Sequence, residues 1–331
     1  MNKAQAEEIM SGMAEILDND VHISVAESGL TGISAVNKIM PSLLIVGNLP
    51  DMQSLSFSTM VKKNIRQCSI QIYTIININE YQCMNNALTD ILFFDNGNFK
   101  NALFMQVQIF IAQKKMRTQY ADEIERAKSK QKMLIPPRLE TEKIQVDGIY
   151  SPFSLLSGDG IDFWLSEDSL YGFLFDCTGH DIVSSTEAGT VRTLLRTGFK
   201  FFQQLDWTLS DILKNANEIS FSVSGDDALC AAAVIFYFDL KNNELRYCSA
   251  GMPNFYVRKK DGLHEVKMNN FLLGYEANAE YAEKSLKLSD IDEVIFLSDG
   301  FSELLFSEIK TNMAIHDDIS AIFVKLKEKG A

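Results

Sequence analysis

The hydrophobic pattern changes character twice along the chain. In residues 1–98, amphipathic and continuous apolar stretches alternate. AEEIMSGMAEIL places Ile9, Met13 and Ile16 at helical spacing, with Met10 and Leu17 beside them. VHISVAES, residues 21–28, alternates as a strand does, and Gly29 to Met40 reads as a helix. SLLIVGN, SIQIYTIINI and DILFFDN are continuous apolar runs, as expected of strands covered on both faces. Alternation of this kind predicts an α/β domain with a parallel sheet.

Residues 99–135 contain no glycine or proline. Met116, Tyr120, Ile124, Ala127 and Gln131 follow a three-four spacing with charges between them. That spacing predicts a long helix with a narrow apolar seam, a short coiled coil that would pair two copies through 99–135. The alternative is a single helix packed on one domain. IPPR, residues 135–138, ends it, because proline cannot continue a helix. Residues 139–331 are strand-rich. Asn242-Asn243 and Asp261-Gly262 sit between alternating runs, and a helical stretch lies between Glu187 and Asn217. The expected organisation is an α/β domain at 1–98, a helical linker at 99–138 and an α+β layer domain at 139–331.

Charge narrows the function. The 331 residues carry a formal net charge of -13, which argues against nucleic acid and anionic membrane as partners. No apolar run approaches the roughly 20 residues that span a bilayer. Five scattered cysteines without a CxxC pair read as reduced thiols of a cytoplasmic protein.

Four segments of the C-terminal part carry an apolar or extended run into an acid beside a small residue. SGDGIDFW presents Asp159 and Asp162, YGFLFDCTGHD presents Asp176, VIFLSDGFSE presents Asp299, and HDDISAIFV presents Asp317 and Asp318. One such acid is ordinarily a turn or a cap. Four together can converge on one sheet edge, where like charges require raised pKa values or a cation. Oxygen ligands suit Mg²⁺ or Mn²⁺.

These motifs, in this order, resemble the SpoIIE-type branch of the metal-dependent protein phosphatases, relatives of protein phosphatase 2C. The resemblance covers about residues 131–328, from KQKMLIPP through CSAGMPNFYVRKKDG to the aspartate pair. It implies a β-sandwich of two antiparallel sheets flanked by helices. It implies two ions, Mn²⁺ or Mg²⁺, bridged by Asp176 and held by Asp299, Asp317, the backbone carbonyl of Cys177 and, directly or through water, Asp159. Asp176, Asp299 and Asp317 would then be the catalytic acids. The implied reaction is hydrolysis of phosphoserine or phosphothreonine without a phosphoenzyme, on a protein such as an anti-sigma-factor antagonist of a partner-switching pathway. A catalytically weak pseudophosphatase that binds a partner is the alternative.

The chain departs from the family pattern in places. Gly160 and Ile161 replace an aromatic pair, Asp181 replaces a glycine and Met252 a histidine. Only 17 residues separate Asp299 from Asp317, where relatives have a few dozen. His180 reads as structural rather than as a general acid, and Cys177 as no nucleophile. Residues 1–98 resemble a response-regulator receiver domain without its chemistry. Gly47 stands where the phosphoacceptor aspartate would be, and FFDNGN, where the family's lysine would fall near Asn96, contains no lysine. The resemblance implies a pseudo-receiver that is not phosphorylated.

Overall fold

A computed structural model describes residues 3–14, 21–64, 70–76, 88–95, 99–179, 181–223, 229–268, 270–302 and 317–327. The chain forms two compact units, Met1–Tyr120 and Ala121–Ala331.

The first unit contains α1 (Lys3–Ala14), α2 (Gly29–Ile39), β1 (Leu43–Val46), α3 (Ser54–Asn64), β2 (Gln71–Ile76), β3 (Ile91–Phe94) and the start of α4 (Phe99–Met133). The strands form a parallel sheet in the order β1-β2-β3, as the continuous apolar runs predict. Alternate strand residues feed two cores. Tyr73, Ile75 and Phe93 pack with Ile9 and Met13 of α1 and with Leu103 and Val107 of α4. Val46 and Ile72 pack with Val36 of α2 and with Phe57 and Val61 of α3. Helices therefore cover both sheet faces. Ser28 and Thr31 form a capping box at the start of α2, and the Asp51 carboxylate accepts from the Gly29 and Leu30 amides at 2.7 and 3.1 Å.

One expectation fails here. Residues 21–26 of VHISVAES form no strand, and Ile23 and Val25 are 40% and 49% exposed. Alternation supplies a face, but a strand also needs a ladder partner for its backbone groups, and among the described residues none pairs with this segment.

The long helix is present as one 35-residue element, α4. Its seam residues have different environments: Met116 and Tyr120 are exposed, whereas Ile124 is buried.

The second unit is a sandwich of two antiparallel sheets. One has the order β11-β10-β13-β14-β5-β4 and the other β12-β9-β8-β7-β6. The first contains β4 (Leu139–Glu140), β5 (Ile144–Ser151), β10 (Phe255–Lys259), β11 (Gly262–Val266), β13 (Glu293–Leu297) and β14 (Ile319–Leu326). The second contains β6 (Asp159–Ser166), β7 (Ser169–Cys177), β8 (Ala231–Asp239), β9 (Glu244–Ala250) and β12 (Lys284–Lys287). Ile161, Phe163, Leu174 and Phe236 of one sheet meet Val146, Phe296, Ile322 and Val324 of the other. The opposite face of the five-stranded sheet, with Phe173, Phe175 and Cys177, is covered by α5 (Ile182–Gln204) and α6 (Leu209–Val223).

Candidate metal centre

Strand parity decides where each acid points. Asp159 lies on the face of β6 that carries Ile161 and Phe163 into the sandwich. Asp176 shares the parity of Leu174 on β7. In the β6–β7 ladder Asp159 stands directly opposite Asp176. Such opposed residues have Cβ atoms about 5 Å apart, a distance at which like charges destabilise the pair.

The second pair comes from the other sheet. Asp299 follows β13 and Asp317 precedes β14, and those strands are adjacent and antiparallel. Ser298 and Ser320 tie their ends together: the Ser298 amide donates to the Ser320 carbonyl at 2.9 Å, and the Ser320 amide to the Ser298 hydroxyl at 3.0 Å. Gly300 makes the closure possible, since a Cβ there would stand 2.1 Å from the Asp318 carbonyl oxygen. Gly158 does the same at the five-stranded sheet, where a Cβ would meet the carbonyl oxygens of Gly179 and Cys177 at 2.7 and 2.9 Å.

The four acids act on one another. Burial first, then the charges of Asp159 and Asp299, push the Asp176 carboxyl up to about 10. A side-chain interaction with Asp299 adds to the rise at Asp176. Asp159 is raised to about 7, again by burial first, with Asp318, Asp299 and Asp317 adding to it. Both of its carboxylate oxygens are buried without a hydrogen-bond partner among the described residues. The Ser320 hydroxyl opposes the rise from nearby, although it forms no hydrogen bond that satisfies either oxygen. Orphaned buried carboxylate oxygens of this kind are costly unless a proton or a cation meets them.

The donor set is all oxygen, which fits Mg²⁺ or Mn²⁺. The side chains do not yet form a closed cage. Among the described residues, no three His, Cys, Asp or Glu side chains stand ready to hold one ion. Asp299 and Asp317 fold back on the next backbone amides, Gly300 and Asp318, each at 2.8 Å.

The other sequence candidates separate clearly. Cys177 has its thiol on the helix-covered face, fully buried and with its pKa driven up by burial, so only its backbone belongs at the acid edge. Asp162, three residues from Asp159, points to that same helix-covered side and pairs with Arg192 and Arg196. Asp318 is committed elsewhere: its two oxygens accept from the Phe153 and Gly158 amides at 2.7 and 2.8 Å and pin the loop that leads into Asp159. His180 and Glu303 lie outside the described residues.

Three structural roles escaped the sequence. Asp181 is the N-cap of α5, accepting from the Val183 and Ser184 amides in a capping box with Ser184. The Asp-x-x-Ser spacing carried that signal. Gly160 leaves room for the ring of Phe175, its cross-strand partner, which a Cβ would meet at 2.1 Å. The aromatic bulk at this site therefore comes from the neighbouring strand. Gln131, read as a seam position, instead clasps Ser157. Its amide nitrogen donates to the Ser157 carbonyl at 2.7 Å and its oxygen accepts from the Ser157 amide at 3.1 Å. The Ser157 hydroxyl in turn accepts from the Asp159 amide at 3.0 Å.

Residues 166–328 match the family model of Stage II sporulation protein E, SpoIIE. These residues form a SpoIIE-family domain. Asp176, Asp299 and Asp317 fall within the match, and Asp159 lies just before it. The phosphoserine phosphatase RsbP of Bacillus subtilis (strain 168) is 22% identical over 187 residues, 54% of this chain and 44% of RsbP. The chain thus spans less than half the length of that relative. Among solved structures, the SiaA-PP2C domain of Pseudomonas aeruginosa superposes with a TM-score of 0.52 at 13% identity, covering 64% of this chain and 99% of that one. This likeness shows the fold of the SpoIIE-family domain. The phosphatase domain of SpoIIE from Bacillus subtilis, with a fragment of its regulatory domain, gives a TM-score of 0.48 at 15% identity over 58% of this chain and 66% of that one.

Proposed function

We propose that this chain is a Mn²⁺- or Mg²⁺-dependent protein phosphatase that hydrolyses phosphoserine or phosphothreonine on a partner protein. The observation that carries the proposal is the opposed pair of buried Asp159 and half-buried Asp176, whose mutually repelling carboxyl groups also feel the charges of Asp299 and Asp317 from the six-stranded sheet. Asp176, Asp299, Asp317 and the Cys177 carbonyl would hold two ions, with Asp159 assisting. When bound, the ions supply the positive charge that draws a phosphoryl group into an acidic site and promotes in-line attack by water. The chain's own residues set the geometry. Asp318 and Gln131 hold the loop before Asp159, and the glycines at 158 and 300 bring the backbones together.

An anti-sigma-factor antagonist is the proposed substrate, by similarity to the SpoIIE family and RsbP. The exposed seam residues Met116 and Tyr120 support a homodimer through 99–135. A monomer by light scattering at micromolar concentration would remove that claim. Residues 1–98 are proposed as a pseudo-receiver, supported by parallel strands with helices on both faces. Gly47, just after β1, offers no carboxylate, and its carbonyl accepts from the Ser54 hydroxyl at 2.8 Å. This unit would not be phosphorylated. A linker at 99–138 would join it to the phosphatase domain at 139–331. A cytoplasmic location is proposed; among the described residues no helix is long and apolar enough to cross a membrane.

A second reading, a pseudophosphatase that only binds a partner, draws on the absence of a closed cage among the described residues. Hydrolysis of p-nitrophenyl phosphate with Mn²⁺ and with chelator separates the two. Mn²⁺-dependent turnover that is lost on Asp176→Asn supports the enzyme. No turnover in wild type supports the binding protein.

A further inference from the structure

We propose that the cleft beside Arg196 binds a small organic carboxylate with an apolar body, at a site separate from the acid cluster. Asp162, buried to 3% exposure, receives two arginines from α5: Arg192 at 3.0 Å and Arg196 at 2.9 Å. Arg192 has both of its Nη groups engaged. Besides Asp162 it donates to the Ile161 carbonyl at 3.0 Å and to the Leu134 carbonyl.

Arg196 is engaged on one side only. Its Nε donates to Asp162, and its guanidinium lies 3.7 Å over the ring of Trp164. No hydrogen bond to its two Nη groups forms among the described residues, and the side chain is 43% exposed. Trp164 and Asp162 thus hold the fork of donors in place before any ligand arrives, which lowers the ordering cost of binding. A guanidinium fork matches a carboxylate with two parallel hydrogen bonds.

The cleft has a volume of about 520 Å³, and its walls include Leu134, Ile135, Pro136 and Pro137. That volume lies in the range of small-molecule sites. The apolar walls suit a hydrocarbon body, and the arginine edge suits the anionic head. Charge chooses the head group. Two guanidinium groups against one carboxylate leave a single positive charge, which a monocarboxylate balances and a phosphate dianion overbalances. The site is also distinct from the acid cluster by strand parity, since Asp162 and Asp159 point to opposite faces of β6.

The test is calorimetric titration of the metal-free full chain with 4-phenylbutyrate, with 4-phenylbutanol as the neutral analogue and with inorganic phosphate. The acid is expected to bind with a Kd of about 1 mM or tighter. The alcohol and inorganic phosphate are expected to bind at least about tenfold more weakly. Arg196→Met should weaken the acid at least about tenfold, and Arg196→Lys should weaken it less, because the charge stays and the fork is lost. Circular dichroism of each variant confirms folding. Equal binding of acid and alcohol, tighter binding of inorganic phosphate, wild-type affinity in folded Arg196→Met, or no heat at about 20 mM acid would each overturn the proposal.

Discussion

Replacing Asp176 by Asn should stabilise the metal-free protein and remove its response to metal. Asp176 has its carboxyl raised from an ordinary 3.8 to about 10 by burial and by Asp159 and Asp299. At pH 7.5 the unfolded chain carries this carboxyl ionised, whereas the folded state must bind a proton. At about 1.4 kcal/mol for each pH unit between the ordinary value and pH 7.5, that uptake costs about 5 kcal/mol as an upper bound. Asn is close in shape to the protonated acid and needs no proton. Residual repulsion among the other acids and relaxation of the site reduce the gain, so about 2 kcal/mol is the working expectation. For a unit of about 200 residues this raises Tm by roughly 4–8 °C. Millimolar Mn²⁺ should reverse the ranking, because wild type gains stability by binding the ion and the variant has lost its bridging ligand. Differential scanning fluorimetry at pH 7.5, with chelator and then with Mn²⁺, reads both effects. A variant less stable than wild type in chelator, or one with an undiminished Mn²⁺ response, would refute the electrostatic reasoning.

Four further outcomes follow from the structure. Both Asp159 and Asp176 titrate above their ordinary value when folded, so the folded state binds more protons than the unfolded state above about pH 4. Their contribution to stability is therefore lost as pH rises, through about 7 for Asp159 and on toward about 10 for Asp176. Metal-free Tm should fall more steeply between pH 5 and 8.5 in wild type than in Asp159→Asn/Asp176→Asn, and equal slopes would count against the cluster. Gln131→Ala should raise the Mn²⁺ concentration for half-maximal p-nitrophenyl phosphate hydrolysis several-fold while lowering stability by only about 1–2 kcal/mol, because it frees the Ser157 backbone two residues before Asp159. Gly300→Ala drives a methyl against the Asp318 carbonyl and should cost about 2 kcal/mol or more. Gly189→Ala meets nothing within 4 Å inside α5 and should be neutral or stabilising by up to about 1 kcal/mol, as chemical denaturation would show.

The acids were legible in the sequence because each ends or begins an apolar run, and the parallel sheet of the first unit was legible because its strands are apolar on both faces. Their pairings were not. Nothing local says that Asp159 faces Asp176, because register is set by the whole β6–β7 ladder and a slip of one residue would turn either acid to the other face. Asp317 and Asp318 are chemically identical neighbours. Only the fold shows that the second spends both oxygens on the Phe153 and Gly158 amides while the first stays at the edge. Gln131 fits the helical seam by spacing, and its bond to Ser157 depends on a contact 26 residues away. The strand expected at VHISVAES failed for a similar reason: periodicity describes a face, whereas a strand also needs a neighbour.

Strand β6 shows how one element can set two charge problems of opposite sign. Asp159 and Asp162 are three residues apart, so the twofold period sends them to opposite faces. On the inner face Asp159 lies among other carboxylates with the Ser320 hydroxyl nearby, and its two oxygens have no hydrogen-bond partner among the described residues. That side has an excess of negative charge, which protons relieve in the metal-free protein and a bound cation would relieve in their place. On the outer face Asp162 meets two arginines, and Arg196 keeps two donor groups without a hydrogen bond among the described residues. That side has an excess of positive charge, which a carboxylate would relieve. Gly160 lies between them and gives its space to Phe175, so the strand keeps its packing while carrying both. The two imbalances share a backbone, and the Arg192 bond to the Ile161 carbonyl lies midway between the two acids. Occupancy of the outer cleft therefore bears on the strand that presents Asp159. Saturating 4-phenylbutyrate should shift the Mn²⁺ midpoint of the thermal response in wild type and leave it unchanged in Arg196→Met; an equal shift in both would place the ligand at the acid edge instead.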